Sequence, residues 1–219
     1  MPKQVDHRER RETIARALWR VVERRGATHL TMREVAQEAG ISLGQLQHYF
    51  ASRAAMFSFA MDFAGELTTA RVGRALREFG EPPRPRDVLR VLLVEMLPLH
   101  ADSRATSRMS VAYVLEALHD EAVHARARDG LLQGREAVEQ VVRQAIADGL
   151  IAADRDPVVE TDLLLALTGF ATLLELDVVA PAAVLTAVDR YLDRLFAVGD
   201  GPVAGPGDAP GAGTGPAAG

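Results

Sequence analysis

Between Thr31 and Arg53 the chain reads TMREVAQEAGISLGQLQHYFASR, and its polar residues suit reading a duplex better than breaking a bond. Gln45, Gln47 and His48 carry donors and acceptors within four residues, and a glutamine can make paired bonds to adenine in the major groove. Thr31 and Ser42 can each cap a helix and still offer a hydroxyl to a phosphate, where helix N-termini already favour anions. Gly44 has no side chain to hold a backbone away from base edges. The ring of Tyr49 can pack while its hydroxyl meets phosphate.

These groups need a rigid support, and the same stretch encodes one. Thr31 with Glu34, and Ser42 with Gln45, are capping boxes in which the hydroxyl and the side chain three residues on satisfy each other's free amides. Ala39-Gly40-Ile41 puts glycine where a helix must end in a left-handed residue. A capped helix, a glycine turn and a second capped helix are the pattern of a helix-turn-helix, whose second helix enters the major groove. Leu46 and Phe50 are expected in the core, which leaves Gln45, Gln47 and His48 outward.

Over all 219 residues the formal charge is −5, but it is unevenly spread. Residues 1–53 are net +4 and residues 54–219 net −9, so the phosphate-attracting field lies at one end. Apolar residues make up 48% of the chain, enough for a sizeable core, and the absence of cysteine excludes disulfides and thiolate metal sites. The longest apolar run, Leu163 to Leu174, is shorter than the roughly 20 residues a membrane helix needs. With no leader-like opening, a cytoplasmic protein with no membrane partner is expected.

The fold class predicted is all-α, with about nine helices: a three-helix DNA-binding domain over residues 1–53, a larger helical ligand-binding and dimerisation domain over 54–198, and a disordered Gly/Pro/Ala-rich tail over 199–219. Asp6 with Glu9 should open a first helix from about His7 to Arg25, its buried stripe carrying Ile14, Leu18, Val21 and Val22. A long helix should follow from Ala54 to Phe79, ended by the prolines at 82, 83 and 85. Further helices are expected at about Asp87–Ala101, Ala105–His119, Glu121–Asp148, Pro157–Val178 and Pro181–Ala197. The tail holds eight glycines and four prolines in 21 residues and cannot bury enough surface to order itself.

Thr31, Val35-Ala36, Ala39-Gly40-Ile41-Ser42, Gly44, Leu46 and Tyr49-Phe50 together resemble the TetR family of bacterial transcriptional regulators, over residues 10–57. The resemblance implies a homodimer that binds a palindromic DNA operator and releases it when a small-molecule effector enters the larger domain. It also implies DNA contacts for Ser42, Leu43, Gly44, Gln45, Gln47, His48 and Tyr49, and backbone-phosphate positions for Thr31 and Arg53. Many members carry an aromatic where this chain has Gln47, which shifts recognition toward adenine. Lys3, Arg8, Arg10 and Arg11 are further candidates for phosphate or the minor groove. The segments around Asp148-Gly149-Leu150 and Leu164–Leu174 resemble the regulatory domain of the choline-responsive BetI branch, from which choline itself is not inferred.

No convergent set of acids, bases or nucleophiles marks an enzyme, and no cofactor is expected. Glu116-x-x-His119 resembles half of a di-iron helix-bundle site, and Glu121-x-x-His124 repeats the spacing two residues later, but such a site needs further glutamates from two other helices. Glu116 fits better as a solvated charge or as a polar wall of an effector pocket. Phe63, Met96, His100, Met109, Tyr113, Glu116 and Phe170 are the candidates for that pocket, following the rule that pockets are mostly apolar with a few placed polar groups. The last two helices carry apolar residues round much of their circumference, so one face should meet a partner subunit. Leu167, Leu174, Val188, Leu192 and Leu195 are the residues expected there.

Overall fold

The computed structural model describes residues 2–26, 30–80 and 82–197, with side chains in the first segment from His7 onward. All regular structure among the described residues is helical. The head contains α1 (Pro2–Arg25), α2 (Met32–Glu38) and α3 (Leu43–Tyr49). The body is built from α4 (Arg53–Arg77), α5 (Pro85–Glu95), α6 (Ala101–Ala117), α7 (Glu121–Ala147), α8 (Pro157–Ala166), α9 (Phe170–Glu175) and α10 (Pro181–Phe196). The tail from 199 to 219 lies outside the described residues.

Local signals set most of these boundaries. Ser52 caps α4, its hydroxyl accepting from the Ala55 amide at 3.1 Å, so only Phe50, Ala51 and Ser52 separate the recognition helix from the long connector. Gly149 adopts φ +71 and ends α7 while the Leu150 amide reaches back to the Ala145 carbonyl at 2.8 Å, the wrapped C-terminus a glycine makes cheap. Pro157 and Pro181 stand in the first turns of α8 and α10, where a missing N–H costs nothing.

Two expectations are corrected. Helix α1 begins at Pro2, so Asp6 lies inside it rather than opening it, because a proline already starts a first turn without an amide to satisfy. The helix expected from Pro157 to Val178 is interrupted by a 3-10 turn at Leu167–Gly169. There the Thr168 hydroxyl donates to the Leu165 carbonyl at 2.7 Å, and Gly169 weakens the ladder beside it.

Two cores result, and the first crosses the boundary between head and body. Ile14, Leu18, Val35, Leu46 and Phe50 of the head share one cluster with Met56, Phe57 and Phe63 of α4 and Met109, Ala112 and Tyr113 of α6. At about 1.5–3 kcal/mol for each large apolar side chain fully buried, Met56, Phe57 and Met109 make α4 and α6 substantial contributors to the stability of the head. The second core joins Leu89 and Leu93 of α5, Val138 and Val142 of α7, Leu164 of α8, Leu174 of α9, and Val188 and Leu192 of α10.

Candidate nucleic-acid interface

Helix α3 is a short rod fixed at both ends. Ser42 Oγ accepts from the Gln45 amide at 3.1 Å, and Gln45 Oε1 accepts from the Ser42 amide at 3.0 Å. Leu46 and Phe50 are buried on its inner side, while Gln45, Gln47 and His48 are exposed and Leu43 and Tyr49 half-buried. Gly40 makes the turn before it at φ +67, in the left-handed region that glycine reaches without penalty. The anticipated outward row is therefore in place.

The capping boxes use some of the chemistry expected of these residues. Thr31 Oγ1 accepts from the Glu34 amide at 3.2 Å and donates its proton to Glu34 Oε2 at 3.0 Å. Its hydroxyl proton is thus engaged within the head. Ser42 uses only its acceptor side, which leaves the proton for a phosphate oxygen. Gln45 lends its carbonyl to the cap and keeps its two N–H donors, whereas Gln47 keeps both functions.

One end of the groove comes from α1. Arg10, Ile41, Gly44, Gln45, His48 and Tyr49 line a cleft of about 400 Å³. The His7 ring lies 4.9 Å from that of Tyr49 and 6.5 Å from that of His48. Sequence reasoning included Arg10 but missed His7, since nothing local places an α1 side chain beside α3. It also missed Arg33, an exposed cation in the first turn of α2, where it opposes the helix dipole. A cation so placed is a readable signal that something other than helix stability put it there.

Three other arginines have internal roles. Arg8 pairs with Glu12 at 3.0 Å and Glu66 at 2.5 Å, facing α4. The Arg11 guanidinium sits 4.8 Å from the Phe50 ring centre and 4.1 Å from that of Phe59, and burial lowers its pKa. Arg53 Nη1 donates to the Leu30 carbonyl at 2.5 Å and Nε stands 3.0 Å from Glu116 Oε2, with Phe57 beneath. The Lys3 side chain lies outside the described residues.

The residues expected to form an effector pocket do not line one cavity among the described residues. Phe63, Met109 and Tyr113 belong to the first core, where Phe63 stacks on Trp19 at 5.4 Å. Met96 is exposed, and His100 is an N-cap: its Nδ1 accepts from the Ser103 amide at 3.2 Å. Glu116 is taken by Arg53, and His119 Nδ1 faces the Leu115 carbonyl at 2.8 Å. Phe170 packs on the second core. Apolar composition could not separate core side chains from lining ones, because both satisfy the same preference.

The expected dimer residues need a similar correction. Val188, Leu192, Leu195 and Leu174 are buried in the chain's own second core, and only Leu167 keeps part of its surface. Helix α10 turns Val184, Val188, Leu192 and Leu195 inward and leaves Leu185, Tyr191 and Phe196 half-buried. Exposed apolar side chains occur instead on α8 and after α9, with Val159 at 51%, Leu163 at 47% and Val178 at 65%. The stretch Pro157–Glu175 is apolar enough to resemble a membrane span by composition, yet only 22% of it is buried in the single chain.

Comparison with known proteins agrees with this geometry. Residues 14–58 match the family described as bacterial regulatory proteins, tetR family, and residues 85–197 match the C-terminal domain of BetI-type transcriptional repressors. The HTH-type transcriptional regulator PksA of Bacillus subtilis (strain 168) is 32% identical over 168 residues, covering 76% of this chain and 78% of PksA. The nucleoid occlusion factor SlmA of Vibrio vulnificus is 27% identical over 158 residues, 72% of this chain and 76% of SlmA. A transcriptional regulator from Saccharomonospora viridis solved in complex with choline shares the fold at TM-score 0.70 and 19% identity, covering 85% of this chain and 94% of that one. A capped recognition helix on an all-helical body, matched in both halves, places this chain in the TetR family of bacterial transcriptional regulators, as a DNA-binding regulator and not an enzyme.

Proposed function

We propose that the protein is a cytoplasmic repressor that binds a palindromic operator as a homodimer and releases it when a small-molecule effector binds the body. The observation that carries the reading is the exposed pair Gln47 and His48 on a helix whose Leu46 and Phe50 are locked inside. Bases are read by Gln47, His48 and the free donors of Gln45, with Gly44 and Leu43 at the groove surface. Ser42, Tyr49, Arg10 and Arg33 position the head on phosphates.

Dimerisation runs through the exposed side of α8 and α9. Val159 and Leu163, both exposed, and Leu167 and Phe170, half-buried against the second core, fall at near-helical spacing along it, an apolar stripe of the kind a second copy covers. A two-fold axis there supplies paired recognition helices about one DNA turn apart, as a palindrome requires.

Release follows from the short Phe50–Ser52 link between α3 and α4. A ligand that prefers one body shape moves α4 and changes the spacing of the heads; one that binds both shapes equally does nothing. Selection of bound sequences from random duplex DNA tests the reading. A palindrome is expected, and Gln47→Ala with His48→Ala should abolish its selection while leaving the dimer intact. Selection of the same operator by the double variant would place recognition elsewhere.

A further inference from the structure

Helices α1, α4 and α6 flank an open cleft of about 390 Å³ at the junction of head and body, with Trp19, Leu67 and Arg71 half-buried in its floor. Its apolar part consists of Trp19, Leu67, Ala70 and Ala105. Its charged part holds four guanidiniums, Arg16 and Arg20 from α1 with Arg71 and Arg74 from α4, against the two carboxylates Glu23 and Asp102. The volume suits a small organic molecule, and the lining is richer in charge than a usual ligand pocket, with one short apolar strip at Trp19 and Leu67.

The arginines are not equally available. Arg71 is held by Glu95 at 2.8 Å and Arg20 by Glu38 at 2.7 Å, and both of these carboxylates stand outside the cavity wall. Arg16 lies over the Phe63 ring at 4.7 Å, with its one ion pair among the described residues a 3.9 Å approach to Glu12, and Arg74 has no ion pair among the described residues. The wall therefore offers donors for one negative group, while Glu23 and Asp102 disfavour a second.

We propose that this cavity binds an organic monoanion with an apolar body, such as a medium-chain or alicyclic carboxylate, and that its occupancy loosens the recognition head. The inference rests on the regulator reading above and gives it a ligand class and a place. Arg16 and Arg74 clamp the carboxylate, and the hydrocarbon lies against Trp19 and Leu67. Arg20 is the link to DNA. A carboxylate accepting from Arg20 competes with Glu38 of α2, which Arg20 and Arg24 together tie to α1. Operator affinity falls as the Arg20 half of that tie is weakened, and by reciprocity operator binding weakens the ligand.

Trp19 is the single tryptophan of the chain and lines the cavity, so its fluorescence reports on this site directly. The full chain is titrated with decanoate and with cyclohexylacetate, and with decanamide as the neutral control. Operator binding is measured on the same preparation. A saturable change in Trp19 emission is expected with either acid, about tenfold weaker with the amide and about tenfold weaker for Arg74→Glu. Ala70→Phe, which fills the cavity from an exposed position, should abolish the response while leaving operator binding unchanged. At the acid concentration that saturates the unaltered protein, operator affinity should fall in that protein, less in Arg74→Glu and not in Ala70→Phe. The proposal is overturned if neither acid changes the emission at millimolar concentration, if the amide binds equally, if both variants respond like the parent, or if bound acid leaves operator affinity untouched. A chain that selects an operator but ignores both acids loses this site alone, whereas one that selects no duplex loses the regulator reading.

Discussion

Glu116 Oε2 lies 3.0 Å from Arg53 Nε, joining the last turn of α6 to the first residue of α4. Arg53 also donates to the Leu30 carbonyl, one residue before the Thr31 cap of α2. A side chain expected on phosphate and one expected in an effector pocket thus meet each other, and they join the body to the helix-turn-helix. With both side chains partly screened from solvent, Glu116→Gln and Arg53→Gln should each destabilise the chain by about 1 kcal/mol, with a coupling of about 0.5–1 kcal/mol in a double-mutant cycle. Arg53→Gln should leave the salt dependence of operator binding unaltered. A slope reduced by about 0.9 would instead put Arg53 on a phosphate.

Glycines 40 and 44 should respond in opposite ways to alanine. Gly40 has φ +67 and open space around an added Cβ, so Gly40→Ala should cost about 1–2 kcal/mol through backbone strain alone. Gly44 is helical, and a Cβ there meets nothing within 4 Å. Gly44→Ala should stabilise the free protein by roughly 0.5–1 kcal/mol and yet weaken operator binding, because the new methyl enters the space a groove would occupy. Chemical denaturation beside a binding titration separates the two effects.

Buried and exposed leucines distinguish folding from assembly. Leu192 is fully buried, so Leu192→Glu should give an unfolded or aggregated chain rather than a folded monomer. Leu163→Glu, at a position 47% exposed, should yield a folded monomer with weakened operator affinity. Sedimentation velocity with circular dichroism reads both outcomes, and a dimer that survives Leu163→Glu would remove α8 from the interface.

Acid should loosen the head. Hydrogen bonds from Arg20 and Arg24 hold the Glu38 carboxyl below its ordinary value of 4.5, and the Thr31 amide does the same for Glu34. A carboxyl with a depressed folded-state pKa contributes stability at pH above its unfolded value and loses it as pH falls through the folded one. Thermal stability should therefore hold from neutral pH to about 4.5 and decline below it, less steeply in Glu38→Gln. An identical pH profile for that variant would show that the Arg20–Glu38–Arg24 cluster does not hold the head.

The sequence by itself determined what short-range chemistry decides. Thr31 with Glu34, Ser42 with Gln45, Gly40 and Gly149 act within one or two turns, so the caps, the turn and the boundaries of α2, α3 and α7 were legible from residue type and spacing. The helical period likewise put Leu46 and Phe50 inside and Gln47 and His48 outside. Tertiary structure decided the rest, because it depends on which helices become neighbours. The side of α10 that faces α5, the placing of His7 beside Tyr49, the meeting of Arg53 with Glu116 and the arginine-lined cavity between α1, α4 and α6 all join residues far apart in the chain. A periodic pattern shows that a helix has an apolar face, but the partner of that face is fixed only when the whole bundle packs.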